Sequence, residues 1–88
     1  MYRGKIKQIH FVGIGGSGMG PLAEAALRLG VDVTGSDVCE GPIVRRLRRL
    51  GARVFIGHRE SNLDEARLVV YSSAIPPDNP EIVAARRR

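Results

Sequence analysis

Four glycines fall within six residues, at Gly13, Gly15, Gly16 and Gly18, with Ser17 between them and Met19 next. The apolar run Ile9-His10-Phe11-Val12 leads into them and a helix-like stretch follows. Gly13, Gly15 and Gly18 fit G-x-G-x-x-G, the turn that brings a backbone close to a diphosphate at a helix N-terminus. The chemistry this predicts is anion binding by backbone N–H groups. Those of Gly15 to Gly18 are expected to be unpaired where the helix begins, with a modest contribution from the helix dipole. Gly18 is expected to permit close helix–strand packing. Glycines this dense are costly in chain entropy unless backbone access is needed, which argues against a turn without a ligand.

Other polar residues fall where such a ligand could use them. Asp37 lies 24 residues after Gly13. A carboxylate there can accept from a ribose hydroxyl or a base N–H; the alternative is a helix cap or simple solvation. Ser72 and Ser73 offer hydroxyls to a sugar or phosphate, against local turn bonding. His58 can meet a base or sugar, against an exposed or structural role. Cys39 has no histidine near it in sequence and reads as an incidental thiol. His10 and His58 are far apart in sequence and Cys39 is the only cysteine, so no metal cluster is expected. No catalytic triad or paired-carboxylate pattern stands out. The G-x-x-x-x-G-K-[ST] of an ATP-binding P-loop is absent.

The elements that must position these residues are readable from periodicity. Lys5–Val12 reads as a strand that becomes buried on both faces. Pro21 suits the first turn of a helix whose stripe is Leu22, Ala26 and Leu29, with Ala23 and Ala25 keeping it slim and Gly30 stopping it. Val31–Gly35 is a second strand running into Ser36-Asp37. Gly41-Pro42 starts a second helix with the stripe Ile43, Leu47 and Leu50, flanked by four arginines and ended by Gly51. Arg53–Ile56 is a third strand, closed by Gly57-His58. Glu60–Ala66 has room for one helical turn only. Leu68–Tyr71 is a fourth strand, apolar enough to be central. Two prolines keep residues 72–77 irregular. Asp78 or Asn79 caps a last helix, Pro80–Arg87. The pattern predicts an α/β fold, a Rossmann-like open parallel sheet in the order 3-2-1-4 with helices on both faces. Its third connection must cross about 14 Å, within reach of some ten residues. Ligands bind such sheets beyond the carboxyl ends, where strand order reverses. The glycine loop, Asp37, His58 and the Ser72-Ser73 pair all sit at those ends.

Eighty-eight residues allow one domain. No apolar run reaches a membrane span and no signal-peptide core is seen, so cytoplasm is the expected location and no membrane partner is expected. The net charge is +5, concentrated in Arg45, Arg46, Arg48, Arg49 and the terminal Arg86-Arg87-Arg88. Solvated helix faces explain these. No aromatics interleave with them, so no nucleic-acid partner is expected. A basic interaction module remains the non-enzymatic alternative, and the NAD-binding half of a dehydrogenase the enzymatic one.

The wording of the sequence goes further. The stretch from His10 to Met19, Gly35-Ser36-Asp37, Leu50-Gly51-Ala52, Ile56-Gly57-His58 and the run Val70–Glu81 closely resemble the Mur ligase family of bacterial peptidoglycan synthesis. The match covers nearly the whole chain, and the last block is the most specific. The resemblance implies a cytoplasmic enzyme of three domains: the first holds the UDP-sugar, the second binds ATP and Mg2+, the third helps bind the amino acid. Residues 1–88 are then expected to be the single UDP-N-acetylmuramate-binding domain, stopping before its last strand, with no cofactor of its own and no catalysis alone. Carried over by motif, Gly15, Gly16, Ser17, Gly18 and Met19 cradle the diphosphate, Asp37 faces the uridine, Ser72 and Ser73 line the sugar groove, and His58 joins them. The wording favours the alanine-adding member over the one that attaches a recycled peptide. Without a further strand, Leu68–Tyr71 is expected to be an exposed edge prone to self-association.

Overall fold

Alternation of side chains along each strand decides how the chain layers itself. The computed structural model describes residues 8–88. It has four strands, β1 (Gln8–Val12), β2 (Asp32–Asp37), β3 (Arg53–Ile56) and β4 (Leu68–Tyr71). Three helices, α1 (Met19–Arg28), α2 (Pro42–Arg49) and α3 (Pro80–Arg87), and one 3-10 turn, Glu60–Leu63, connect or follow them. All strand pairs are parallel and the order is β3-β2-β1-β4, as expected. Residues 5–7 of the first expected strand lie outside the described residues.

The two faces of the sheet differ in chemistry. Phe11, Val33 and Val54 face α1 and α2 and form one apolar core with Ile14, Ala23, Val44 and Leu47. On the other face, beside the buried Val12, His10, Thr34 and Ser36 are buried polar side chains that meet α3 through Glu81. Gly35 belongs to the apolar face, where Ile14 lies against its backbone: a Cβ there would sit 2.5 Å from Ile14 Cδ1 and 2.9 Å from the Phe11 carbonyl oxygen. The first two helices end by one device. Gly30 (φ +85°) and Gly51 (φ +112°) turn the chain so that Val31 and Ala52 N–H donate back to Ala26 and Leu47 carbonyls.

Four expectations are corrected here. On α1 the buried stripe is Met19, Ala23 and Ala26, while Leu22 and Leu29 are about half exposed and Ala25 is exposed. A helix this close to a sheet turns its small residues inward, because large ones would hold it away. On α2, Val44 and Leu47 are buried and Leu50 is exposed. β2 runs two residues past Gly35, because Ser36 pairs with Val12 and Phe55, and Asp37 with Ile56. β4 lies at the sheet edge, paired with β1, and both Leu68 and Tyr71 stay exposed.

Candidate functional site

Parallel pairing brings the carboxyl ends of β1, β2 and β4 level, since Val12 is opposite both Ser36 and Tyr71. The loops that leave these ends enclose a groove of about 500 Å³. Its lining contains Gly15, Gly16, Ser17, Gly18 and Met19 from the first loop, Asp37 from β2, and Ser72, Ala74 and Ile75 from the loop after β4. Seven of the nine residues expected at the site are thus brought together. Ser73 and His58 do not line the groove. Ser72 also makes its own turn, its Oγ accepting from Ala74 N–H at 3.3 Å.

The donors of the glycine loop are fewer than expected. Gly15 N–H donates to Asp37 Oδ2 at 2.8 Å and Gly16 N–H to the Gly13 carbonyl at 3.0 Å. Met19 and Gly20 N–H both donate to the Gly16 carbonyl. Ser17 and Gly18 N–H alone in this stretch donate to no acceptor among the described residues. They are exposed, and they stand at the N-terminus of the ten-residue α1, where no side chain caps the helix. Two such N–H groups and the helix dipole suit a phosphate oxygen.

Asp37 is held rather than free. Its Oδ1 accepts from Val38 N–H at 2.7 Å while Oδ2 takes Gly15 N–H. Asp37 and Gly15 also line a second hollow of about 130 Å³, with Cys39, Gly41 and Ile43, so this pair is the partition between the two spaces. A Cβ on Gly15 would lie 2.7 Å from Asp37 Oδ2. The close approach assigned to Gly18 belongs elsewhere: a Cβ at Gly18 meets nothing within 4 Å, whereas one at Gly20 would lie 2.7 Å from Ile43 of α2.

Behind this edge lies a cluster that the sequence order conceals. Glu81 is fully buried. Its Oε1 accepts from His10 Nε2 (2.6 Å) and Ser36 Oγ (2.7 Å), and its Oε2 from Asn62 Nδ2 (2.8 Å) and Arg59 N–H (3.0 Å). Burial pushes the carboxyl pKa up, but the bonds from His10, Ser36, Asn62 and Arg59 outweigh it and bring it to about 2. His58 Nδ1 lies 2.8 Å from Ser36 Oγ and 3.6 Å from Glu81 Oε2. The two histidines, remote in sequence, therefore share one carboxylate. A signal was present: a histidine inside the apolar strand Ile9–Val12 cannot be buried without a partner. Among the described residues no three His, Cys, Asp or Glu side chains gather as a metal site. No helix among them is long and apolar enough to cross a membrane.

The α2 arginines are partly neutralised by the chain itself. Arg46 and Arg28 both hold Glu24, and Arg48 pairs with Glu40 and donates to the Val54 carbonyl. The hydrogen bond from Arg46, then that from Arg28, lowers the Glu24 carboxyl pKa to about 2. These residues rim a separate groove of about 460 Å³ between α1 and α2, floored by Gly20, Ala25, Ile43 and Leu47.

Comparison with known proteins gives consistent matches. Residues 8–88 match the model of the Mur ligase family, catalytic domain. The chain is 56% identical over 87 residues to the UDP-N-acetylmuramate–L-alanine ligase of Sulfurihydrogenibium sp. (strain YO3AOP1), covering 99% of this chain and 19% of that protein. It is 51% identical over 88 residues to the enzyme of the same name from Aquifex aeolicus, covering all of this chain and 19% of that one. Among solved structures, the murein peptide ligase of Psychrobacter arcticus aligns with a TM-score of 0.78 at 33% identity, over 88% of this chain and 16% of that one. The UDP-N-acetylmuramate:L-alanyl-gamma-D-glutamyl-meso-diaminopimelate ligase of Neisseria meningitides aligns at 0.77 and 35%, over 91% and 25%. The chain thus spans about a fifth of the length of the relatives it matches in sequence.

Proposed function

The chain belongs to the Mur ligase family, and from that premise we propose that it is the UDP-N-acetylmuramate-binding unit of a cytoplasmic ligase that adds L-alanine to that nucleotide-sugar in peptidoglycan synthesis. The observation that carries this reading is the groove in which the glycine loop, Asp37 and Ser72 meet. In it the Ser17 and Gly18 N–H groups take the diphosphate, with Gly15, Gly16 and Met19 shaping the cradle. Asp37 faces the uridine. Ser72 meets the sugar side, with Ser73 next to it in the same loop. His58 stands behind the groove, tied to Ser36, and serves the site from there. Identities of 51% and 56% to alanine-adding relatives, against 33% and 35% to the peptide-attaching ones, support the alanine branch.

The ATP and Mg2+ implied for the full-length enzyme find no seat on these residues. The chain has no G-x-x-x-x-G-K-[ST], and no carboxylate cluster is present among the described residues. The bond-making step is therefore assigned to other parts of the enzyme, and this unit binds and orients. Isothermal calorimetry with UDP-N-acetylmuramate and with NAD tests the assignment. Heat with the UDP-sugar and none with NAD is expected; silence with the UDP-sugar at millimolar concentration would overturn it.

A second expectation concerns β4. Its outer backbone edge is unpaired among the described residues, with Leu68 and Tyr71 exposed beside it. We infer that this 88-residue chain self-associates there at high concentration. Light scattering over a concentration series should show mass above the monomer, and a constant monomer mass would sink the idea.

A further inference from the structure

The loop from Ser72 to Asn79 is one wall of the candidate groove, through Ser72, Ala74 and Ile75. Its own hydrogen bonds are internal: Ile75 N–H to the Ser72 carbonyl and Asn79 N–H to the Pro76 carbonyl. What holds it in place is Ile75, packed on Gly13 of the glycine loop, and its two ends, the pairing of β4 with β1 and the N-terminus of α3. At the second end the fastening is Glu81, in the first turn of α3, whose carboxylate receives donors from β1, β2 and the segment 59–62.

Those four donors have a chemical consequence. An ionised carboxylate only accepts, so each of its neighbours must turn a proton toward it. The Ser36 hydroxyl has one proton and gives it to Glu81 Oε1. Its oxygen must then accept from His58, so His58 carries a proton on Nδ1, and in a neutral ring Nε2 is bare. His10 must donate from Nε2, and in a neutral ring its Nδ1 then accepts from the Thr34 hydroxyl at 2.8 Å. One buried charge thus decides the proton positions of two rings, one of them through a serine.

We propose that Glu81 is a positioning residue of the groove, placing the protons of His10 and His58 and fastening the far end of the 72–79 wall to the sheet. The groove it serves is the one assigned above to a nucleotide-sugar, and the inference rests on that reading. A glutamine cannot replace it silently. Arg59 N–H cannot become an acceptor, so the amide oxygen must face it and Asn62. The amide NH2 then faces His10 and Ser36, and both must invert. His10 moves its proton to Nδ1, Ser36 donates to His58 instead of accepting, and His58 moves its proton to Nε2.

The test is long-range proton–nitrogen correlation NMR on the isotope-labelled 88-residue chain, in mildly alkaline buffer where a free imidazole is neutral. The wild-type chain should carry the His58 proton on Nδ1 and the His10 proton on Nε2. Glu81→Gln should exchange both positions and weaken UDP-N-acetylmuramate binding about tenfold, the scale of losing hydrogen bonds to a charged acceptor. The wild-type proton positions keep the proposal testable if Glu81→Gln does not fold. A wild-type His58 with a bare Nδ1 would overturn the proposal. So would a Glu81→Gln chain that keeps wild-type proton positions or affinity. Proton positions as assigned, with no binding by wild type, would reject the nucleotide-sugar reading and leave Glu81 as the group that sets them.

Discussion

At Gly35 no side chain fits. A Cβ would press on Ile14 Cβ at 2.8 Å and on the Phe11 carbonyl oxygen at 2.9 Å, and the second of these is backbone within the sheet. Gly35→Ala is therefore expected to destabilise the chain by about 1–3 kcal/mol, read as a lower urea midpoint. Gly15 makes a different prediction. The nearest atom to its added Cβ is a carboxylate oxygen of Asp37, the end of a flexible side chain, with Val44 at 3.1 Å behind it. Gly15→Ala should cost only about 1 kcal/mol in stability but abolish calorimetric UDP-N-acetylmuramate binding, because the partition between the two hollows is displaced. The glycine pattern itself was legible in the residues, since a tight turn can be made from few residue types. The capture of Gly15 N–H by Asp37 was not. It depends on β2 running on past Gly35, with Ser36 opposite Val12 of β1 and Asp37 opposite Ile56 of β3, a pairing that no local pattern encodes.

Elements were legible where their ends carry their own chemistry. Asn79 caps α3 as expected, its Oδ1 accepting from Glu81 N–H at 2.9 Å. Asn79→Ala should cost about 1 kcal/mol, seen as a lower thermal midpoint. The strand order was legible because a short third connection still reaches across the sheet. The inward faces of α1 and α2 were not. A periodicity reading weights large apolar residues, so it chose Leu22, Leu29 and Leu50. The fold keeps Ala26 of that stripe but otherwise buries Met19, Ala23 and Val44, small or slim residues that let the helices lie closer to the strands and to each other. The last helix hid its most consequential residue in the same way. A glutamate in a first helical turn is ordinarily a solvated favourable charge, and only the fold shows Glu81 turned onto the sheet.

For the molecule as a whole, the buried carboxylate links stability to acidity. Its pKa in the folded chain is about 2, below the ordinary 4.5, so the folded state favours the ionised form. That stabilisation is fully present above about 4.5 and is lost as pH falls through the interval toward about 2. Urea titrations across this range should show the midpoint falling with pH. Glu24 titrates in the same window, but its partners Arg28 and Arg46 face solvent, so salt should weaken its share and leave that of Glu81.

The polar face of the sheet also has a calorimetric consequence. Unfolding exposes His10, Thr34, Ser36, Asn62 and Glu81 to water together with the apolar core. Hydration of apolar surface raises the heat capacity and hydration of polar surface lowers it. The heat-capacity increment of this chain should therefore fall below the usual value of about 12–15 cal/mol/K per residue. Its stability should accordingly vary less steeply with temperature, on cooling as well as on heating, than that of a sheet of this size packed with apolar side chains on both faces.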